Sequence, residues 1–354
     1  MGKIANQYCH RIYLTDDNPR NENPKIIRNL IKKNINKSKI YEIPSRAEAI
    51  KKAIFDLKTG DVLVVAGKGH EKTQDYGKTK KLFSDQKEIL QNIKIKNKTL
   101  SNNFKLNILK ELSNSNSIST KSKFENASIN SKEINKNDIF FAIKGKNKDG
   151  NLFIKEAFKN GASLVVTDKL KNDKKQIKVK DTLKFLTEAS TMLRENSASK
   201  IIGITGSSGK TSLKELIGRS LNKICNATYS PKSFNNKFGV PLSLFNLKKN
   251  DNFGIFEIAM DKKREINFLS KIIKPDVGVI TNISYAHIKN FENIKGIAQA
   301  KSEIIQNIKK DGYLVLNGDD HFYNFHKKIA LKMKLKIISF SIKNKSSNIY
   351  LNLI

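Results

Sequence analysis

The stretch Ile201-Ile202-Gly203-Ile204-Thr205-Gly206-Ser207-Ser208-Gly209-Lys210-Thr211-Ser212 decides the fold. Its first five residues read as a largely apolar strand. Gly206 to Gly209 make a turn, and Lys210-Thr211 open an amphipathic helix. A strand, a glycine turn and a helix in that order form the context a phosphate-binding loop requires. Backbone N–H groups of such a turn and helix start face anionic oxygens. Lys210 is then placed to reach β- and γ-phosphates, and the Thr211 hydroxyl to hold Mg²⁺. Gly206, Ser207, Ser208, Gly209, Lys210, Thr211 and Ser212 are the candidate nucleotide-binding residues. Two residues rather than four separate Gly206 from Gly209, so the loop is shorter than the usual Walker spacing. A plain Gly/Ser turn before a helix is the competing reading, and the buried strand ahead of it argues against that.

Working outward, Asn252 to Phe256 reads as a strand ending in Glu257, and a carboxylate at a strand end beside a phosphate loop suits a Mg²⁺ ligand. Val277 to Ile283 is expected to be another buried strand, leading past Thr281-Asn282 to His287. Upstream, a β-rich stretch (Asp138 to Ile143), a helix (Phe153 to Asn160) closed by Gly161 and a strand (Ser163 to Thr167) form a smaller α/β unit. The first residues alternate strand and helix signals. Arg11 to Thr15 is β-like, Asn23 caps a helix with Pro24 at its first position, and Ser45-Arg46-Ala47-Glu48 is a capping box for a helix to about Leu57. Asp61 to Ala66 is expected to be a buried strand running into Gly67-Lys68-Gly69-His70-Glu71.

The sequence therefore divides into an N-terminal Rossmann-like α/β unit (1–92), an Asn/Lys/Ser-rich linker with one short helix at Phe104 to Leu112 (93–116), a small α/β unit (117–197) and a mostly parallel-sheet unit with the phosphate loop (198–354). The pattern begins abruptly at Met1, and Ile354 falls inside β-like sequence, so the expectation is a chain truncated at both ends.

Composition narrows the function. Among 354 residues, 67 basic against 33 acidic side chains leave a net charge of +34. Lysines release counterions from phosphates, so a nucleic-acid partner has to be weighed. Asp168 to Lys180, however, carries six lysines in thirteen residues and no aromatic to stack on a base. No nucleic-acid-binding motif is present, and the charge is read as solvated surface with no dedicated nucleic-acid partner. Cys9 and Cys225 are the two cysteines, too few for a disulfide scaffold or a zinc module. No apolar run is long enough to span a bilayer. A soluble, cytoplasmic protein without membrane insertion is expected.

Several strings beyond the loop carry a resemblance. They are DIFFAIKG at Asp138 to Gly145, Asp149-Gly150, SFNNKFGVPLSL at Ser233 to Leu244, FEIAM from Phe256, KPDVGVITNISYAH at Lys274 to His287, AKSEI from Ala300 and VLNGDD at Val315 to Asp320. From about Phe104 onward the chain resembles the Mur ligases, ATP-dependent amino-acid-adding enzymes of peptidoglycan synthesis, in the branch that adds D-alanyl-D-alanine. LTDDNPRNENP (Leu14 to Pro24), PSRAEAI (Pro44 to Ile50) and AGKGHE (Ala66 to Glu71) resemble instead the C-terminal domain of the branch that adds the third amino acid. The chain thus looks like the tail of one ligase joined to the front of another, with other chains as candidates to supply the absent domains.

The resemblance implies a multi-domain α/β architecture with a phosphate-loop central domain, a small uridine-nucleotide-binding domain and the N-terminal unit. It implies ATP and Mg²⁺ as cofactors, and UDP-MurNAc-tripeptide and D-alanyl-D-alanine as substrates joined through an acyl phosphate. Lys210 would stabilise the transferring phosphoryl group. Thr211 and Glu257 would hold one Mg²⁺, with His287 and a carbamylated Lys301 on a second. Asn317 would contact adenine, Ser131 and Lys132 the uridine side, and Asn235 and Asn236 the muramoyl peptide. In the N-terminal unit, Asn18, Arg20, Gly67 and Glu71 would read meso-diaminopimelate, since a guanidinium suits a carboxylate. The sequence departs from the family pattern at Ala259 and Arg264, where glycines are usual, and at Asn130-Ser131-Lys132 and Asn151. Three alternatives to an active ligase stand beside it: an incomplete fragment that binds nucleotide only, a remnant of the diaminopimelate-adding branch, and a nucleic-acid binder.

Overall fold

The computed structural model describes residues 1–58, 60–113, 124–145, 147–169, 175–285 and 291–352. The chain divides into two compact units, Met1–Leu100 and Ser101–Ile354.

The first unit runs α1 (Gly2–Tyr8), β1 (Ile12–Leu14), α2 (Pro24–Lys32), β2 (Ile40–Glu42), α3 (Arg46–Asp56), β3 (Thr73–Asp75), β4 (Lys80–Leu82) and the start of α4 (Asp85–Ser113). Both expected caps form. Asn23 accepts from the Lys25 amide ahead of Pro24, and Ser45 accepts from the Glu48 amide. β1 and β2 pair in parallel, and β3 and β4 form an antiparallel hairpin. Asp61 to Ala66 is not the buried strand expected from its aliphatic run. Among the described residues it joins no ladder, and Val62 and Val64 are 86% and 78% exposed. Strand propensity is realised only where a neighbouring strand takes up the backbone groups and one face is covered. The Arg46 guanidinium makes a buried two-pronged ion pair with Asp85 and also donates to the Ala66 carbonyl, holding the start of α4.

The Asn/Lys/Ser-rich stretch expected as a linker is helical up to Ser113, the end of α4. Leu106, Ile108 and Leu109 of that helix are buried in the core of the second unit. Their burial, about 1.5–3 kcal/mol for each large aliphatic side chain, overrides a composition that reads as irregular. Residues 114–116 of the expected linker lie outside the described residues.

The second unit contains two sheets among its described residues. The smaller has order β5-β6-β7-β8, all parallel: β5 (Ala127–Ser128), β6 (Ile139–Phe141), β7 (Leu164–Thr167) and β8 (Gln176–Lys178), with α5 (Ile154–Lys159) between β6 and β7. After α6 (Thr182–Glu195) comes a parallel seven-stranded sheet, built from β9 (Lys200–Thr205), β10 (Ala227–Tyr229), β11 (Phe253–Glu257), β12 (Val277–Ile280), β13 (Tyr313–Asn317), β14 (Lys336–Ser341) and β15 (Ile349–Tyr350). Its helices are α7 (Lys210–Leu221), α8 (Gly239–Phe245), α9 (Glu265–Ile273), α10 (Ile294–Ser302) and α11 (Tyr323–Lys332). The order β10-β11-β9-β12-β13-β14-β15 places β9 between β11 and β12, so successive connections leave it in opposite directions. Ligands of such sheets bind at the carboxyl ends of strands where the winding reverses. In register, Glu257 lies opposite Ile204 and Ile280 opposite Thr205. β12 ends at Ile280, three residues before the expected Ile283, because the next residues bend onto the phosphate loop. Among the described residues no helix is long and apolar enough to cross a membrane.

Candidate functional site

The candidate site lies at the carboxyl ends of β9, β11 and β12. Gly206 leaves β9 at φ +147°, and a Cβ there would stand 1.8 Å from the Thr281 hydroxyl, so the strand exit admits no side chain. Gly209, at φ +77°, is the N-cap of α7. The first turn of a helix leaves N–H groups without intrahelical acceptors, which is the basis of an anion seat. Lys210, the first residue of α7, is half-buried. Its ammonium folds back onto the carbonyls of Gly206 (2.9 Å) and Ser207 (3.3 Å). Burial pushes its pKa down while Glu257 pulls the other way. Ser212, in the same first turn, is exposed.

Glu257 is 1% exposed. One carboxylate oxygen accepts from the Thr211 hydroxyl at 2.7 Å and the other from the Asn235 amide at 2.8 Å. Lys301 on α10 is also 1% exposed, and its amine donates to the Gly206 carbonyl at 2.9 Å. Burial, with Lys210 adding repulsion, pushes the Lys301 pKa down to about 7. Thr211, Glu257 and Lys301 are thus brought together around one loop. A hydroxyl and a buried carboxylate suit a hard divalent cation that keeps several waters and substrate oxygens. Among the described residues no cluster of three or more His, Cys, Asp or Glu could hold a metal by itself. His287 lies outside the described residues.

Asn317 ends β13, where its side-chain oxygen takes the Asp319 amide. Asp319 in turn accepts from the Ser341 hydroxyl and the Ile342 amide, and the Ser341 bond holds its pKa below the usual carboxylate value. Ser131 is buried and bonded to Glu156 (2.5 Å), whereas Lys132 is exposed. Asn235, expected on the peptide side, lies on Glu257. The Asn236 oxygen takes the amides of Phe238 and Gly239 at the start of α8.

In the first unit, Asn18 donates to Glu71 and accepts from Lys68 (3.2 Å) and the Asp75 amide (3.0 Å). Arg20, at φ +51°, has an exposed side chain and donates its amide to the Asp75 carbonyl. Gly67 abuts the Asp17 carboxylate. The buried Lys68 amine, to which the sequence reading gave no role, joins Asn18 and Glu71, whereas Arg20 and Gly67 make no contact with it.

The sequence reading also missed Thr281, Asn282 and Ser284, which make side-chain and backbone bonds to Ser207 and Ser208. It missed Lys214 too, whose fully buried amine donates to the Lys232 carbonyl. The signal available was a polar Thr-Asn pair directly after a buried strand, the position where parallel sheets place ligand-facing groups.

A parallel sheet with a phosphate loop at its winding reversal, and a buried carboxylate beside it, defines a phosphate-loop α/β protein. Residues 204–353 match the Mur ligase middle domain, residues 123–203 the Mur ligase family catalytic domain, and residues 1–69 the Mur ligase glutamate ligase domain. The chain belongs to the Mur ligase family. The UDP-N-acetylmuramoyl-tripeptide–D-alanyl-D-alanine ligases of Buchnera aphidicola subsp. Baizongia pistaciae and Rickettsia prowazekii are each 35% identical to it. Those matches cover 61% and 62% of this chain and 47% and 49% of theirs. MurF from Acinetobacter baumannii superposes with a TM-score of 0.61 at 28% identity, covering 70% of this chain and 54% of that one. MurF from Thermotoga maritima, in complex with ADP, gives 0.54 at 30% identity, over 64% of this chain and 52% of that one. The chain spans about half the length of the curated relatives it matches.

Proposed function

We propose that the second unit binds ATP and serves an ATP-dependent ligase that joins D-alanyl-D-alanine to UDP-MurNAc-tripeptide in cytoplasmic peptidoglycan precursor synthesis. The observation that carries this reading is the Thr211–Glu257–Asn235 contact beside the Gly206–Gly209 loop. In the reaction, an oxygen of the tripeptide's terminal carboxylate bonds to the γ-phosphorus as the bond to ADP breaks. The amine of D-alanyl-D-alanine then bonds to the acyl carbon, phosphate leaves, and the nitrogen gives up a proton. Positioning and charge neutralisation are the protein's share of such chemistry.

Lys210 turns from the loop carbonyls to the transferring phosphoryl group. Thr211 and Glu257 would hold one Mg²⁺ and His287 a second, and the bound ions would neutralise charge at the phosphates. Lys301, whose lowered pKa of about 7 leaves a substantial share of its amine uncharged near neutral pH, suits carbamylation: its nitrogen bonds to CO₂, releases a proton and becomes an anionic group able to face a cation. Asn317 serves the adenine end, Ser131 and Lys132 the uridine end, and Asn235 and Asn236 the muramoyl peptide. Asn18, Arg20, Gly67 and Glu71 form a diaminopimelate-reading cluster that contributes nothing to D-alanyl-D-alanine addition.

A second reading is a chain that binds nucleotide without completing the reaction. Ligases of this kind depend on closure of domains over the substrate. ADP release by the purified chain is the test. Release that requires both UDP-MurNAc-tripeptide and D-alanyl-D-alanine supports the ligase, and ADP binding without turnover supports the second reading. No binding of ATP or ADP rejects both.

A further inference from the structure

The short phosphate loop is sewn to the segment that follows β12. The Ser207 amide donates to the Asn282 carbonyl, and the Ser208 amide to the Asn282 side-chain oxygen at 3.0 Å. The Asn282 side-chain nitrogen donates to the Ser208 hydroxyl at 2.7 Å, and the Thr281 hydroxyl to the Ser208 carbonyl at 2.6 Å. Ser207 completes the set, its hydroxyl donating to the Ser284 carbonyl (3.1 Å) and accepting from the Ser284 amide (2.9 Å). The amide between them, that of Ile283, donates to the Asp320 carboxylate at 2.7 Å in the turn after β13.

We infer that Asn282 is a positioning residue that braces the shortened phosphate loop against the end of β12 and thereby sets the affinity for nucleotide phosphates. The inference rests on the nucleotide-binding reading above. With the Ser207 and Ser208 amides taken by Asn282, phosphate oxygens must be received by the N–H groups from Gly209 onward and by Lys210. Those groups converge only if the two peptide units before Gly209 are fixed. A loop two residues shorter than the usual spacing has less of its own backbone with which to fix them, and the neighbouring strand end supplies the missing support. The role needs an acceptor and a donor on one short side chain, which Asn provides. Aspartate at this position loses the donor to Ser208 and sets a negative charge beside the phosphates.

The test compares ADP and adenosine binding to the full chain by calorimetry in Mg²⁺, with thermal unfolding as the control for folding. Asn282→Ala is expected to weaken ADP about tenfold, the scale of losing bonds that fix a buried or half-buried polar group, and to leave adenosine within about twofold. Asn282→Asp is expected to weaken ADP at least as much. ADP affinity unchanged in a folded Asn282→Ala protein overturns the inference. So does an equal loss of ADP and adenosine, which marks a general structural defect. If Asn282→Ala does not fold, Ser208→Ala replaces it, with a loss of about threefold expected for ADP alone and no loss overturning the inference. Wild-type protein that binds adenosine and ADP equally weakly rejects the nucleotide reading itself, and the inference with it.

Discussion

Lys210 and Lys301 donate to the same acceptor, the Gly206 carbonyl, each at 2.9 Å. Two ammonium groups converging on one carbonyl repel, and Lys301, the more deeply buried, yields its proton more readily, at about pH 7. In the unfolded chain a lysine keeps its proton to about pH 10.4. Between these values the unfolded chain binds the extra proton, so this residue's contribution makes stability rise as pH climbs from about 7 towards 10. Lys301→Met removes the titration. The stability difference between wild type and Lys301→Met, from urea unfolding at a series of pH values, is expected to shift in favour of wild type by up to about 1.4 kcal/mol per pH unit across that window. A flat difference would show that Lys301 titrates normally.

Carbamylation needs the uncharged amine, so the same burial gives a chemical expectation. In ¹³C-bicarbonate, a carbamate resonance is expected to grow as pH rises through about 7, and to be absent in Lys301→Arg. A spectrum identical for the two proteins removes Lys301 from the anionic-ligand role.

Glu257 takes one bond from Thr211 and one from Asn235 in a buried setting. Glu257→Ala leaves both half-buried donors unpaired, at a cost of up to about 1–3 kcal/mol for each. It also removes the carboxylate proposed for Mg²⁺. Nucleotide binding titrated against Mg²⁺ is expected to move to at least about tenfold higher concentration, on the scale of a lost charged ligand. Superimposable Mg²⁺ curves would leave Glu257 with a structural role only.

How much of this was legible depended on whether the deciding interaction was local. The strand, turn and helix around Gly206 to Thr211 were readable because glycine placement and apolar pattern act within a dozen residues. The caps at Asn23 and Ser45 were readable for the same reason. Asp61 to Ala66 was misread because strand pairing depends on a partner elsewhere in the chain. The end of α4 was readable as a short helix at Phe104 to Leu112, but its earlier turns were hidden by their Asn, Lys and Ser content, of which Asn92 and Ser101 are buried. The Thr281-Asn282 pair after β12 marked a polar strand end, but its partners Ser207 and Ser208 lie more than seventy residues away, so the brace itself was not readable locally.

Arg264 is a non-glycine residue in the left-handed region, at φ +74°. Its amide and that of Asn267 donate to Glu303, which holds the entry to α9 in place. A side chain in this conformation costs roughly 1 kcal/mol. Arg264→Gly is expected to stabilise the protein by up to about 0.5 kcal/mol, because relief of strain exceeds the added freedom of the unfolded chain only narrowly. Thermal unfolding checks the sign, and a lower melting temperature would show that the Arg264 side chain itself contributes.

In the first unit, Arg46 pairs with Asp85 through two contacts of 2.7 Å while almost wholly buried. Removing one partner of a buried pair strands the other charge, at about 3–5 kcal/mol. Arg46→Ala is expected to abolish the protected amides of this unit in hydrogen exchange and to leave those of the seven-stranded sheet protected. Uniform loss across both units would show that they unfold together.

Lys214 extends from α7 to the loop before Ser233. Its buried amine donates to the Lys232 carbonyl and lies 3.3 Å from Glu215. Lys232 itself is held at φ +48°, and its side chain pairs with Glu133 at 3.0 Å, next to Ser131 and Lys132. One lysine thus fixes the loop that bears Asn235, and the loop in turn reaches the Ser131–Glu133 turn between β5 and β6. Lys214→Met keeps the aliphatic stem and deletes the amine, leaving the Lys232 carbonyl without its donor. A loss of about 1–3 kcal/mol in urea unfolding is expected. Because every bond between Asn282 and the phosphate loop remains, ADP affinity is expected to stay within about twofold at temperatures where the variant is folded. Undiminished stability would show that water replaces the amine, and a large loss of ADP binding would show that the loop before Ser233 reaches the nucleotide directly.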